Sequence, residues 1–255
     1  MALDPGIFAA LDVNELAALV VAAFAGSVIF GVTGFGAALV TVPFATHFVP
    51  LRFALALFVL MDLSNAFRIG FENPKNAVKS EWTRMVPMIL VGTVAGVTLL
   101  VNLPRGAATL ALGVFVLLFA LYSLLRDPES RRIVSPRWAW FAGLTGGITS
   151  TIFGAGGPPY AMYLSQRGLT KEQFRATLGL ATLTSISIRT VAFLVTGILL
   201  DAKVWLYALF VVPAGLAGIW AAGHLFRRLS REWLMRAVAL MLLASGASLI
   251  LRSLA

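Results

Sequence analysis

One stretch of this sequence restricts the possible folds more than any other. Residues 146–164, GGITSTIFGAGGPPYAMYL, are apolar enough for a membrane but are interrupted midway by glycines and by Pro158 and Pro159. Prolines lack an amide hydrogen and glycines disfavour helix, so a continuous helix cannot pass through this stretch. The backbone groups that such a break frees are costly in hydrocarbon unless they are buried in protein or line a wet cavity. The stretch therefore predicts a broken helical hairpin whose tip is the first candidate for a solute site.

The same pattern occurs twice in the chain. Residues 31–43, GVTGFGAALVTVP, repeat the glycine tip, and residues 87–96 and 213–222 share a proline followed by two small residues at the same spacing. Small residues four apart predict close contacts between helices. The repetition predicts two units, one at about 14–125 and one at about 138–252, each a broken glycine-rich hairpin followed by three transmembrane helices.

Composition places the whole chain in a membrane. Of its 255 residues, 59% are hydrophobic and 12% are charged, and the mean hydropathy is +0.90. Apolar segments of roughly 20 residues, each long enough to span the bilayer, recur along the chain. We therefore expect an all-α polytopic membrane protein with eight to ten membrane segments and a single membrane domain over residues 1–255. The lysines and arginines responsible for the net charge of +9 lie in short loops next to the lipid bilayer. Their position there indicates the orientation of the protein in the membrane rather than binding of nucleic acid.

The basic loops predict how the two halves are oriented. Lysine and arginine concentrate in residues 68–84, 126–137, 167–175 and 227–236, and cytoplasmic loops carry such an excess. With these loops inside, segment 138–165 begins and ends on the cytoplasmic side, which a hairpin allows. The two halves then have opposite orientations, an inverted-topology repeat, and both termini lie outside a bacterial inner membrane.

The motifs resemble those of a known family. The glycine tips GVTGFG (31–36) and FGAGGPP (153–159), followed by FRATLGL (174–180), are similar to those of the TauE/SafE sulfite-exporter family, of the 4-toluene sulfonate uptake permease type. The resemblance covers nearly the whole chain and implies a secondary transporter that exports a small sulfur oxyanion, such as sulfite, sulfoacetate or a related organosulfonate. The first tip departs from the pattern, since alanines follow Gly36 where more glycine is common. A proton-coupled anion importer, an anion channel and a non-transporting scaffold stay open, and the protein is expected to be a monomer or a homodimer.

An oxyanion in mid-membrane needs hydrogen-bond donors, and broken helices supply them as free backbone amides. A buried arginine adds a planar fork of donors that suits oxyanions. The substrate-binding candidates on these grounds are Thr33, Gly34, Gly36, Ser150, Thr151, Gly154, Gly156, Gly157 and Arg189. The alternative for the glycines is that they only permit tight hairpin packing.

Several ionisable or polar residues have two possible roles each. Arg189 lies deep in a predicted span, where its partner is either the substrate anion or Asp62. Asp62 and Asn65 are one helical turn apart, so Asp62 either carries a coupling proton or is a structural carboxylate. Arg175 belongs to the FRAT segment but also suits a cytoplasmic anchor, and Tyr160 follows the second tip, where it either lines the site or packs. Because acids are scarce inside the spans, we expect electrogenic, outward anion movement with Asp62 modulating it.

Enzymatic and metal chemistry find no support in the motifs. The glycines at 154–157 follow no strand and precede a proline, so they are no dinucleotide fingerprint, and there is no Walker lysine or Gly-x-Ser-x-Gly elbow. The chain has no cysteine, and His47 and His224 stand in no metal-binding spacing. We expect no enzyme activity, no cofactor and no metal.

Overall fold

The computed structural model describes residues 12–34, 36–125, 133–225, 243–244 and 246–251. The regular structure of these residues is helical, with a short 3-10 turn at Pro74–Asn76. The main helices, numbered in chain order, are α1 (Val13–Thr33), α2 (Ala37–Ala45), α3 (Leu51–Gly70), α4 (Lys79–Asn102), α5 (Arg105–Leu125), α6 (Trp138–Phe153), α7 (Gly157–Leu164), α8 (Lys171–Val195) and α9 (Ala202–Leu225).

Five of the described helices are long and apolar enough to cross a membrane, namely α1, α3, α4, α8 and α9. A shorter apolar stretch, Gly106–Tyr122, lies within α5. The chain is therefore an all-helical polytopic membrane protein, as its sequence predicts. The predicted last span, both predicted outer termini and most of the loops at 126–137 and 227–236 lie wholly or largely outside the described residues, so the segment number and the sidedness stay predictions.

Both hairpins break at the predicted glycines. Gly34 (φ 81°) ends α1 and Gly154 (φ 74°) ends α6, and each has the left-handed backbone that other residues rarely adopt. The return helices α2 and α7 have nine and eight residues. At 1.5 Å per residue they are only about 12–14 Å long, less than half of the ~30 Å hydrocarbon layer. The return arms are therefore too short to span the bilayer.

The start of α8 differs from its predicted position. The apolar pattern predicts a span from Phe174 to Leu200, whereas the helix runs from Lys171 to Val195. The Thr170 hydroxyl accepts from the Gln173 amide, and the Gln173 side chain accepts from the Thr170 amide, which forms a capping box. The cap satisfies amides of the first turn, so the helix begins before its apolar part.

Each hairpin packs against a span of the other half. α6 packs along α4 and α1 packs along α9, while α3 and α8 contact each other between them. A Cβ at Gly92 would lie 2.3 Å from the Leu144 carbonyl oxygen, and one at Gly218 would lie 2.4 Å from that of Phe24. The close helix contact predicted at Gly92 is thus confirmed, and Gly218 forms a matching contact between α9 and α1.

Candidate functional site

A small space, the central cavity, lies where the two hairpin tips meet between α3 and α8. Its volume is about 20 Å³, which is room for one water molecule. The cavity is lined by Phe30, Gly36, Ala37, Ala38, Asp62, Ser150, Gly154, Ala155, Gly156, Gly157, Tyr160, Thr182, Ser185 and Ile186. Both tips therefore contribute to one site, and this conformation, called closed below, leaves room there for no more than one water molecule.

Arg189 stands beside this cavity, completely enclosed by protein. Its side chain is 1% exposed, its Nη2 donates to Asp62 Oδ2 (2.9 Å), and its Nη1 donates to the Ser150 carbonyl oxygen (2.6 Å). The same carbonyl accepts from the Gly154 amide, so the guanidinium caps the carboxyl end of α6, where a helix favours a cation. The Nε of Arg189 has no partner among the described residues.

Asp62 supplies the opposite charge from α3. Its side chain is 4% exposed, and its second oxygen, Oδ1, has no partner among the described residues. A buried charge is tolerated when it is paired and hydrogen-bonded. The structure thus forms the Asp62–Arg189 pair that the sequence leaves as an alternative to a bound anion. One acceptor and one donor of this pair are still available for a further ligand.

Three polar residues of α8 share one helix face. Thr182, Ser185 and Arg189 are spaced by three and four residues, which brings them to the same side. Ser185 Oγ accepts from the Tyr160 hydroxyl of α7 (3.0 Å), whereas the Thr182 hydroxyl is buried without a partner among the described residues. Thr182 and Ser185 are not among the residues predicted from the sequence, although their helical spacing from Arg189 indicates the same face of α8.

Backbone donors come mainly from the first hairpin. Gly36 caps the start of α2 without a side-chain hydrogen bond, and Ala37 and Ala38 of its first turn line the cavity. First-turn amides have no partner inside their own helix and attract anions. The corresponding turn of α7 holds Pro158 and Pro159, which have no amide hydrogen. The second tip therefore offers fewer backbone donors than the first.

The cavity gathers only part of the predicted site. Gly36, Ser150, Gly154, Gly156, Gly157, Asp62 and Tyr160 line it, and Arg189 contacts two of its lining residues. The predicted Thr33, Gly34 and Thr151 are not among the lining residues. The Thr33 and Thr151 hydroxyls donate to Ile29 and Gly147 of their own helices.

Two further predicted site residues, Asn65 and Arg175, lie away from the central cavity. Asn65 donates to Ser27 Oγ (2.7 Å) and so joins α3 to α1. Arg175 forms an ion pair with Glu72 (3.1 Å) in which both side chains are about half exposed. Arg175 is therefore at the protein surface rather than at the cavity, because it occupies the first turns of α8 while Arg189 lies four turns further along.

Comparisons with known proteins agree with this arrangement. A family model described as "Sulfite exporter TauE/SafE" matches residues 18–249. The chain is also similar to the probable inner membrane transporter protein TsaS of Comamonas testosteroni, with 24% identity over 195 residues, covering 76% of this chain and 81% of that protein. No solved structure matches the chain. The protein is a multi-pass membrane transporter, not an enzyme, and it belongs to the TauE/SafE sulfite exporter family.

Proposed function

We propose that this protein is a secondary transporter that exports a small sulfur oxyanion, such as sulfite, sulfoacetate or a related organosulfonate, across the inner membrane. The observation that carries the proposal is the buried Arg189 beside a cavity formed by two broken hairpins. Broken helices with charged groups at membrane depth are typical of substrate sites in secondary transporters.

The chemistry around the cavity supports an anionic oxygen ligand. Arg189 Nε and the Thr182 hydroxyl both have no partner among the described residues, and the first turn of α2 offers backbone amides. A planar guanidinium binds oxyanions in two-point fashion, and a helix amino terminus adds favourable dipole interactions. Thr182 and the first turn of α2 line the cavity, and Arg189 contacts two of its lining residues, so these donors lie close enough together to hold one sulfonate or sulfite group.

The small size of the cavity supports a carrier rather than a channel. An oxyanion of sulfur has several heavy atoms and needs more room than the one water molecule that about 20 Å³ can hold. The closed conformation must therefore rearrange around each substrate, which limits turnover and makes flux saturate with concentration.

Two features support an inverted repeat and outward transport. The packing of α6 on α4 is repeated by α1 on α9, as two related halves would pack. An anion that leaves a cell negative inside gains about 2.3 kcal/mol per charge per 100 mV, so export needs no coupling ion. The name of the family also supports export. We retain the proposal that both termini lie outside.

A second candidate, proton-coupled uptake, is favoured by the Asp62–Arg189 contact. Asp62 Oδ2 accepts a hydrogen bond from Arg189 Nη2 (2.9 Å), and this guanidinium is the group that a substrate anion would bind. Protonation of Asp62 would release Arg189 for the anion and would carry one proton with each substrate. This mechanism predicts flux that depends on the pH gradient.

Flux into proteoliposomes separates these possibilities. Sulfite, sulfoacetate and 4-toluene sulfonate are tested under a potassium-diffusion potential, then under a pH gradient alone, with wild type and Asp62→Asn. We expect saturable flux with counterflow that follows the potential. Flux that follows the pH gradient, ignores the potential and vanishes in Asp62→Asn establishes the proton-coupled importer. Linear flux without counterflow indicates a channel, and no flux of any anion indicates a scaffold.

Variants of Arg189 test the site itself. Arg189→Lys keeps the charge beside Asp62 but loses the planar fork, so sulfite flux should fall at least about tenfold, equivalent to about 1.4 kcal/mol. Arg189→Ala should abolish flux. Arg175→Ala, which removes an exposed arginine of the same helix, is the matched control and should retain flux. Equal losses in the Arg175 and Arg189 variants would contradict the proposed site.

A further inference from the structure

A buried carboxylate, Glu81, gathers hydrogen bonds at the beginning of α4. Its side chain is 5% exposed. Its Oε1 accepts from Arg167 Nη2 (2.9 Å), Arg167 Nε (3.1 Å) and Arg84 Nη1 (3.4 Å), and its Oε2 accepts from the Tyr163 hydroxyl. Arg167 follows the end of α7 and Tyr163 lies in its last turn, so Glu81 holds the carboxyl end of that helix against α4.

The same cluster reaches the segment that enters α6. Arg167 Nη1 donates to the Val134 carbonyl oxygen, and the Val134 amide donates to the Gln166 carbonyl oxygen (3.1 Å). The Tyr163 hydroxyl also lies 3.4 Å from the Pro136 carbonyl oxygen. One cluster therefore ties together the start of α4, the end of α7 and the start of the second hairpin.

α7 connects this cluster directly to the central cavity. The helix has eight residues, so its two ends are only about 12 Å apart. Gly157 at its beginning and Tyr160 in its middle line the cavity, and Tyr163 is three residues further along the same side. A short helix moves as one piece, so the contacts of Glu81 determine where the second tip lies.

The chain on either side of α7 suits a movement of that helix. Ala155 and Gly156 precede it without helical structure, and a turn that contains Gly168 in the left-handed region (φ 66°) follows it. Residues that absorb large backbone changes commonly stand at the ends of moving elements. In the first hairpin, the residue that follows α2 at the corresponding place is His47, whose ring contacts Ser248 Oγ (3.0 Å) instead of a carboxylate.

We infer that Glu81, Arg167 and Tyr163 form a latch that keeps α7 in the closed position, and that its release lets α7 withdraw and open the central cavity. Glu81 is a positioning residue, because it touches α7 and its following loop and not the cavity. The inference rests on the proposed function in one respect: the opened cavity is the one that receives the oxyanion.

The test uses the absence of cysteine from this chain. Thr182→Cys places a thiol of nearly the same size in the cavity wall, and its labelling by a polar thiol reagent is followed in detergent without substrate. In the Glu81→Gln background the latch loses its charge, so labelling should become about tenfold faster, equivalent to about 1.4 kcal/mol. Tyr163→Phe, a milder change, should accelerate labelling in the same direction.

Matched controls distinguish a latch from general loosening. Glu72→Gln makes the same chemical change in the exposed ion pair with Arg175 and should leave the labelling rate unchanged. Thr93→Cys reports on a buried position of α4 away from the cavity and should stay protected in Glu81→Gln.

Unchanged labelling at Thr182→Cys in both latch variants would overturn the inference, as would equal acceleration at Thr93→Cys. Because the assay needs no substrate, it can fail while sulfite transport succeeds. Protection of Thr182→Cys by added sulfoacetate then reports on the proposed function separately, because a sulfonate, unlike sulfite, does not consume the thiol reagent.

Discussion

At the scale of single residues, Arg189 satisfies three requirements at once. It pairs with Asp62, caps the carboxyl end of α6 through Ser150, and stands beside the cavity. An ionisable residue at membrane depth is expensive and persists where it has partners. The alternatives that the sequence leaves for Arg189, a structural pair or a substrate ligand, are therefore compatible, since no described residue contacts the Nε of the paired guanidinium.

Removing one partner of this buried pair should destabilise the protein. Arg189→Gln leaves Asp62 uncompensated, and such a change costs about 3–5 kcal/mol. The double variant Asp62→Asn with Arg189→Gln carries no buried charge and should lose less than the sum of the two single changes. Thermal unfolding in detergent measures all three.

The exposed pair of Glu72 and Arg175 provides the comparison for this measurement. Arg175→Gln should change the free energy of unfolding by no more than about 1 kcal/mol, as for other surface ion pairs. Strictly additive losses in the Asp62 and Arg189 variants would show that the two residues do not interact.

At the scale of helices, close approach of small residues holds the hairpins in place. α4 meets α6 at Gly92, and α9 meets α1 at Gly218, in both cases with a backbone carbonyl where a Cβ would stand. Within a membrane, such contacts rely on van der Waals packing because lipid is as apolar as the helices. The spacing of Gly92 and Gly96 was sufficient to predict the first of these contacts, since it requires no knowledge of the partner helix.

Adding one methyl group at these contacts should separate the helices. Gly92→Ala places a Cβ 2.3 Å from the Leu144 carbonyl oxygen, and Gly218→Ala places one 2.4 Å from that of Phe24. Each substitution should lower the free energy of unfolding by about 1–3 kcal/mol, the range for overpacking. Gly106→Ala has no neighbour within 4 Å and is the control. Melting temperatures that fall equally in all three variants would argue against helix contact as the cause.

At the scale of the whole molecule, the two halves depend on each other. The hairpin of one half packs on a span of the other, and the central cavity needs residues from both tips. Neither half can form the site alone. The second hairpin is held by the buried ion pair of Glu81 and Arg167. In the first hairpin, His47 contacts Ser248 and forms no ion pair among the described residues. The two hairpins are therefore held differently.

Sidedness is the prediction that belongs to this scale. The basic loops place Ser135 in the cytoplasm and place Asn14 and Asn102 outside, and all three are exposed positions. With an impermeant reagent, single cysteines at Asn14 and Asn102 should label in intact cells, and a single cysteine at Ser135 should label in inverted vesicles. Labelling of Ser135→Cys and Asn14→Cys from the same side would contradict the inverted repeat.

The sequence by itself determined the membrane class, the two broken hairpins and the close glycine contact of α4. Those features depend on local chemistry, because proline, glycine and apolar runs act on their own backbone. Only the tertiary structure decided that Arg189 meets Asp62, which is 127 residues away, and that Thr151 turns toward α4 while Thr182 turns toward the cavity. Those outcomes depend on how each helix is rotated against its neighbours, which the packing of the whole chain sets.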